Sequence, residues 1–318
     1  MMTTLDAAQQ EEPTMHQESR RDTSPARSDT PQRGSADPPI VLVPLDGSVH
    51  ATAALPVARA LAALKHAIVH VVNVAEEPLS THDLRNLTAE QRRGTVVDQI
   101  TGTPAASIVR MANEQRSVLI VMCTHTDMTK PRDAVGHVAE AVLRTAPCPV
   151  VFVGPERGAQ PWTLHHILLP HDGTPTAAAA VGPAMDLVHQ SGAALDVLHI
   201  VGPEAVRPSE PGTFTMSPYA DQPQHEWPLW KREFLDRMRA LCPIPPSAHI
   251  RLFVRSGTPG KVITRFATDH ASDLIILAWG GSLDATRART FKDVIHHSPC
   301  PTIVLRTDVP VRQETISK

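Results

Sequence analysis

The stretch VLVPLDGS, Val41 to Ser48, decides the fold, because something close to it returns as ILLPHDGT, Ile167 to Thr174. Each is an apolar, largely branched run interrupted by proline and closed by Asp-Gly-hydroxyl. The run reads as a strand covered on both faces. The close reads as a tight exit into a helix, where glycine permits the turn and the carboxylate and hydroxyl find nearby amides.

Two more landmarks recur in the same order. Asp-Gly-hydroxyl falls at Asp46 and Asp172, Gly-Thr-Pro at Gly102 and Gly257, and Pro-Cys-Pro at Pro147 and Pro299, with offsets of 126, 155 and 152. The chain is a duplication. Its second copy holds 29 more residues between the first two landmarks and three fewer between the last two.

Each copy alternates strand and helix. In the first, IVLVPL, AIVHVVNV, VLIVMC and PVVFV are short branched runs without polar alternation, and TVVDQI is a weaker one. Between them, HATAALPVARALAALKH, PAASIVRMANEQ and GHVAEAVLRTA repeat apolar residues every three or four positions, as helices do. Thr103-Pro104 and Thr258-Pro259 predict a hydroxyl N-cap followed by proline at the first helical position. Five strands with right-handed helical crossovers make a doubly wound parallel sheet, so the expected fold is α/β with two such five-stranded sheets in tandem. The expected divisions are a tail at 1–39, a first domain at 40–155, a linker at 156–166, a second domain at 167–307 and a tail at 308–318. Within the second domain, 203–243 is an insertion whose helix carries an apolar stripe of Trp230, Phe234, Met238 and Leu241, expected to be core.

Composition narrows the function. The first 39 residues carry seven acidic and four basic side chains and few large apolar ones, the makeup of a disordered tail. Removing them from the totals of 33 acidic and 30 basic leaves 26 of each, so the folded part offers no basic stripe for nucleic acid. No run approaches a membrane span and the N-terminus has no signal-like apolar core, which predicts a cytoplasmic protein. Cys123, Cys148, Cys242 and Cys300 stand singly, without Cys-x-x-Cys spacing, and read as buried free thiols. Hydrolase elbow, P-loop and zinc-protease patterns are absent. WGGSLD is similar to a pyrophosphatase loop but follows the fourth strand rather than the first. Seventeen histidines include the adjacent pairs His165-His166 and His296-His297, whose side chains diverge in strand or helix, so no metal site is expected. His70 and His199 are expected at matching places in the second strands, in a structural role.

Order and spacing of these motifs resemble the tandem universal stress protein family (the UspA type): VLVPLDGS, GTPAASIVRMANEQRSVLIVMCTH and APCPVVFV in the first copy, then ILLPHDGT, GTPGKVITRFATDHASDLIILAWG and SPCPTIVL in the second. The resemblance covers 40–153 and 167–306. It implies a non-enzymatic protein of stress survival. In one branch of the family ATP is bound, with the aspartate after the first strand at the adenosine end and a Gly-x-x-Gly-x9-Gly-(Ser/Thr) loop after the fourth strand at the phosphates. Glycines let main-chain N–H groups approach phosphate oxygens, and the following helix presents its positive end.

Carried onto this chain, the resemblance implies an adenine-nucleotide site, for ATP or a related nucleotide, at Pro44, Asp46, Met122, Cys123, Thr124, Thr126, Gly136, His137 and Val138. The loop pattern falls on Cys123, Thr126, Gly136 and His137, keeping the spacing but only one glycine. A Cβ at a lost glycine crowds the backbone away from a phosphate. Thr124, Thr126, Lys130 and a protonated His137 remain as donors. In the second copy the equivalents are Asp172, Gly280 and Gly281, with Ala278, Ala288 and Arg289 at pattern positions in a loop three residues shorter, so binding there is expected to be weaker. A second reading stands beside this one: Asp-Gly-Ser at a strand end is also a turn and helix cap, and the chain is then a scaffold for protein contacts that has lost nucleotide binding. PVVFV and TIVLR are the strands expected to pair the two domains in a pseudo-twofold, covering edges that are otherwise a liability. Further homodimerisation is not legible.

Overall fold

The computed structural model describes residues 38–75, 87–88, 92–124, 136–201, 213, 232–237, 240, 248–280 and 285–307. The expected tails, Thr126, Lys130, Cys242, Gly281 and the stripe residues Trp230, Met238 and Leu241 lie outside them.

The first copy forms β1 (Ile40–Leu45), α1 (Ala54–Leu64), β2 (Ile68–Ala75), β3 (Thr95–Thr101), α2 (Pro104–Glu114), β4 (Leu119–Cys123), α3 (His137–Thr145) and β5 (Val150–Val153). The second forms β6 (His166–Pro170), α4 (Val181–Ser191), β7 (Ala194–Val201), β8 (Ile250–Ser256), α5 (Pro259–Asp269), β9 (Leu274–Trp279), α6 (Ala285–His297) and β10 (Thr302–Arg306). Residues 232–237 are also helical, with Phe234 buried as the stripe predicted.

The strands form one sheet in the order β3-β2-β1-β4-β5-β10-β9-β6-β7-β8. Each half is the doubly wound order, and the halves are joined rather than stacked. β5 and β10 pair antiparallel, Phe152 opposite Thr302 and Val150 opposite Val304, as PVVFV and TIVLR predicted. The remaining pairs are parallel. Pairing the two last strands satisfies both rows of edge amides and carbonyls and lets the apolar layers run through both halves. One layer, containing Val41, Val43, Leu61, Ile167, Leu169 and Val188, lies under α1 and α4. The other, containing Leu42, Ile108, Val142, Ile275, Phe266 and Val294, lies under α2, α3, α5 and α6. β4 and β5 are buried throughout, whereas β3 alternates in exposure, which fits an outer strand and its weak sequence signal.

Two expectations change. Thr103 and Thr258 are N-caps with proline following, but neither side chain caps its helix: the main-chain carbonyls take the bonds from Ser107 and Val262. His70 and His199 do not match either. β1 pairs Ile40 with Ile68, and β6 pairs His166 with Ala194, so the halves superpose at an offset of 126, which sets His70 against Asp196 and Asn73 against His199. The polar pairs they form also differ. His70 bridges Asp98 on β3 and Gln115 beyond α2, each over 2.8 Å, whereas Asp196 takes a two-pronged bond from Arg251 on β8 at 2.7 and 2.9 Å.

Candidate functional site

The strand order reverses between β1 and β4, and again between β6 and β9. At such switch points the crossovers leave in opposite directions and open a crevice beyond the carboxyl ends of the strands. Register fixes what faces it. With Leu42 opposite Ile120, Asp46 comes level with Thr124; with Leu168 opposite Ile275, Asp172 comes level with Trp279.

In the first crevice Asp46 is exposed and its Oδ1 accepts the Ser48 N–H at 2.9 Å. Gly47 between them has φ of 85°, a conformation that favours glycine. The Ser48 hydroxyl then accepts the Ala51 N–H at 3.1 Å, starting the helical turn that leads into α1. The carboxylate therefore shapes its own turn while still facing solvent. Pro44 is half-buried beside it, and His137 is exposed at the start of α3. Met122 and Cys123 are buried at the end of β4, and Val138 packs against the second apolar layer. Thr124 is buried too: its N–H donates to the Val153 carbonyl at 2.9 Å.

Asn73 lies where sequence reading placed nothing. Wholly buried at the end of β2, it donates Nδ2 to the carbonyl of Leu45, the last residue of β1, at 2.8 Å, and its Oδ1 has no hydrogen-bond partner. The offset of 126, which holds through the first two strands of each copy, was the signal that would have found it.

The second crevice repeats the turn with different walls. Asp172 Oδ1 accepts from the Thr174 N–H at 3.1 Å and hydroxyl at 2.6 Å, and the Thr174 hydroxyl caps a short helical turn by accepting the Ala177 N–H at 3.1 Å. His171 replaces Leu45. Its Nδ1 accepts the Gly173 N–H at 2.9 Å, and its ring stands perpendicular to Phe234 at 5.0 Å. His199 Nδ1 meets the His171 carbonyl at 2.9 Å and must donate to it, so the two buried imidazoles hold opposite tautomers. Burial pushes the His171 pKa down to about 4, with the Asp172 charge opposing and His199 adding to the drop. Burial lowers His199 as well, against its bond to His171 and the Asp172 charge. Opposite Asp172 stands Trp279, buried and stacked on Phe291 at 6.0 Å, where the first crevice has Thr124. The indole packs in the apolar layer under α5 and α6. Gly280, next to it, would bring a Cβ within 3.6 Å of Thr176, ordinary packing contact.

Of the thiols, Cys123 is buried and Cys148 and Cys300 half-buried, none of them in a disulfide. Burial pushes Cys300 up to about 12, which leaves it protonated and unreactive. Among the described residues no three His, Cys, Asp or Glu side chains gather as metal ligands, and no helix is long and apolar enough to cross a membrane.

Doubly wound halves, each with an aspartate at the tip of the first strand beside the switch point, define an α/β fold of the Rossmann-like kind. The chain belongs to the universal stress protein family, whose model matches residues 80–154 and 163–306. Solved structures agree on the fold: a putative universal stress protein from Pseudomonas aeruginosa UCBPP-PA14 is 19% identical with a TM-score of 0.61, covering 85% of this chain and 94% of its own. A universal stress protein from Archaeoglobus fulgidus DSM 4304 is 16% identical with a TM-score of 0.55, covering 84% and 96%. A functionally unknown protein from Pseudomonas aeruginosa PAO1 is 19% identical at 0.57, covering 86% and 94%. No curated protein matches the chain.

Proposed function

We propose that this chain is a cytoplasmic, non-enzymatic module of the stress response that binds an adenine nucleotide in its first crevice, with Asp46 at the nucleoside end and the segment from Thr124 to Gly136 at the other. The domains are 40–155 and 167–307, and the second crevice, at Asp172 and Gly280, binds weakly or not at all. The observation that carries the reading is the position of Asp46: an exposed carboxylate at the tip of the strand beside the switch in strand order, level with the start of the loop. A carboxylate there suits ribose hydroxyls and exocyclic amines. Mass spectrometry of gently purified protein, followed by equilibrium dialysis with labelled nucleotide on the intact chain and on Asp46→Ala, tests it. Retention lost in the variant supports the reading; a folded wild type that retains nothing at millimolar nucleotide rejects it.

The second reading, a pseudo-dimeric scaffold for protein contacts, is favoured by the bonds that Asp46 and Asp172 already make within their turns. It predicts that Asp46→Ala lowers stability and changes no ligand binding.

A further inference from the structure

Two imidazoles stand in the second half where the first half has neither. His171 and His199 replace Leu45 and Asn73, and the bond that steadies the strand end is made either way, by Asn73 Nδ2 or by His199 Nδ1. That bond therefore does not need an ionisable ring. Both imidazoles are buried, and part of their cover comes from the inserted segment. Phe234, 3% exposed in the helical turn 232–237, sets its ring perpendicular to His171 at 5.0 Å and tilted to His199 at 6.1 Å. It belongs to the apolar layer of Leu169, Val197 and Val254.

The His171 ring has no place for a second proton. Its Nδ1 accepts the Gly173 N–H at 2.9 Å, so the neutral ring carries its hydrogen on Nε2, which is buried without a hydrogen-bond partner among the described residues. A proton added to Nδ1 faces the Gly173 N–H and makes a buried cation with neither N–H accepted, a cost that water removes once the ring is uncovered. Burial pushes the pKa down to about 4, the Asp172 charge opposes the drop and His199 adds to it. Other charges stand apart. Arg232, Glu233, Asp236 and Arg237 on the inserted turn, and Asp186 and His189 on α4, are exposed. On β8, Arg251 is bonded to Asp196, and Arg255 lies over Phe253 and Phe266 of the other layer.

We propose that the turn 232–237 is an acid-released clasp on the second half: it stays closed over His171 and His199 while His171 is neutral, and lifts when that ring takes up a proton, the sheet remaining folded. One proton taken up per opening raises the open fraction by up to about tenfold for each pH unit below the ordinary histidine range. Hydrogen–deuterium exchange of the full chain at pH 7 and pH 5, corrected for the intrinsic pH dependence of exchange, reads this peptide by peptide. The expected result is a loss of protection of about tenfold or more across 232–237, with β1, β2, β6 and β7 unchanged. In His171→Leu, which installs the first half's residue, the turn stays protected at both pH values. Equal protection of 232–237 at pH 7 and pH 5 in the wild type overturns the proposal without recourse to a variant, as does a turn that exchanges freely already at pH 7. Loss of protection in β6 and β7 together with the turn overturns it too, because the half then opens as a unit. The full loss retained in a folded His171→Leu removes His171 as the trigger and the proposal with it.

Discussion

Asn73 Nδ2 donates to the main-chain carbonyl of Leu45 over 2.8 Å, and the second half repeats the bond with His199 Nδ1 on the carbonyl of His171 over 2.9 Å. Two side chains of different chemistry hold the same strand end, immediately before the aspartate of each crevice. Replacing Asn73 by valine leaves a buried carbonyl without its donor, which costs about 1–3 kcal/mol. Asn73→His supplies a ring nitrogen as the second half does and is expected to recover more than half of that loss. Urea unfolding midpoints of the two variants check this; equal losses would show that shape, not the donor, matters at this position.

Acid is expected to destabilise the second half through His171. Its ordinary pKa of 6.5 applies to the unfolded chain, while burial holds the folded value near 4. Between those values the unfolded chain takes up a proton that the native ring refuses, because a proton on Nδ1 would face the Gly173 N–H. Stability is therefore whole above about pH 6.5, falls as pH drops towards 4 and then levels, a change of about 3 kcal/mol from this group. His171→Leu, which installs the residue found at the matching place in the first half, flattens that slope. Denaturation at pH 7, 5.5 and 4.5 reads it, and an unchanged slope in the variant would assign the effect to other groups.

Asp273 ties the connection between the halves to the start of β9. Its Oδ2 accepts the N–H groups of His165 and His166 at 2.8 and 2.9 Å, and its main-chain carbonyl accepts Trp162 Nε1 at 3.2 Å. Burial lowers the pKa of Arg157, and the Asp273 charge counteracts that. Asp273→Ala is expected to cost about 2 kcal/mol, since two main-chain donors lose a charged acceptor. A drop in melting temperature, with faster proteolysis in 156–166, confirms it.

Helix packing predicts opposite outcomes at two glycines. A Cβ at Gly260 in α5 would stand 2.5 Å from Asp293 Cβ in α6, so Gly260→Leu forces the helices apart and costs about 1–3 kcal/mol. Gly182 in α4 has open space at the same point, and Gly182→Ala is expected to stabilise by about 0.5 kcal/mol. Thermal melts of the two variants decide; a neutral Gly260→Leu would mean that α5 and α6 shift freely.

Much of the fold was legible because it depends on local period. Branched runs and three-to-four spacing mark strands and helices without reference to neighbours, so IVLVPL, TVVDQI and PAASIVRMANEQ fell where β1, β3 and α2 lie. The site was legible only in outline. Asp46 stood out because it ends a strand, whereas Asn73 looked like any polar residue in an apolar run. The false match of His70 with His199 arose because residue type was compared where strand pairing had to be.

The sequence by itself determined a duplicated α/β chain with an aspartate at the tip of each copy's first strand, since these follow from repetition and from the intrinsic conformational preferences of the residues. Tertiary structure decided that the copies fuse into one ten-stranded sheet, that Asn73 and His199 do the same work, that Trp279 stands where Thr124 does, and that the Gly136 N–H meets the Thr124 carbonyl. The physical reason is register: which side chain reaches which carbonyl is set by the pairing of strands far apart in sequence, and no local pattern encodes that pairing.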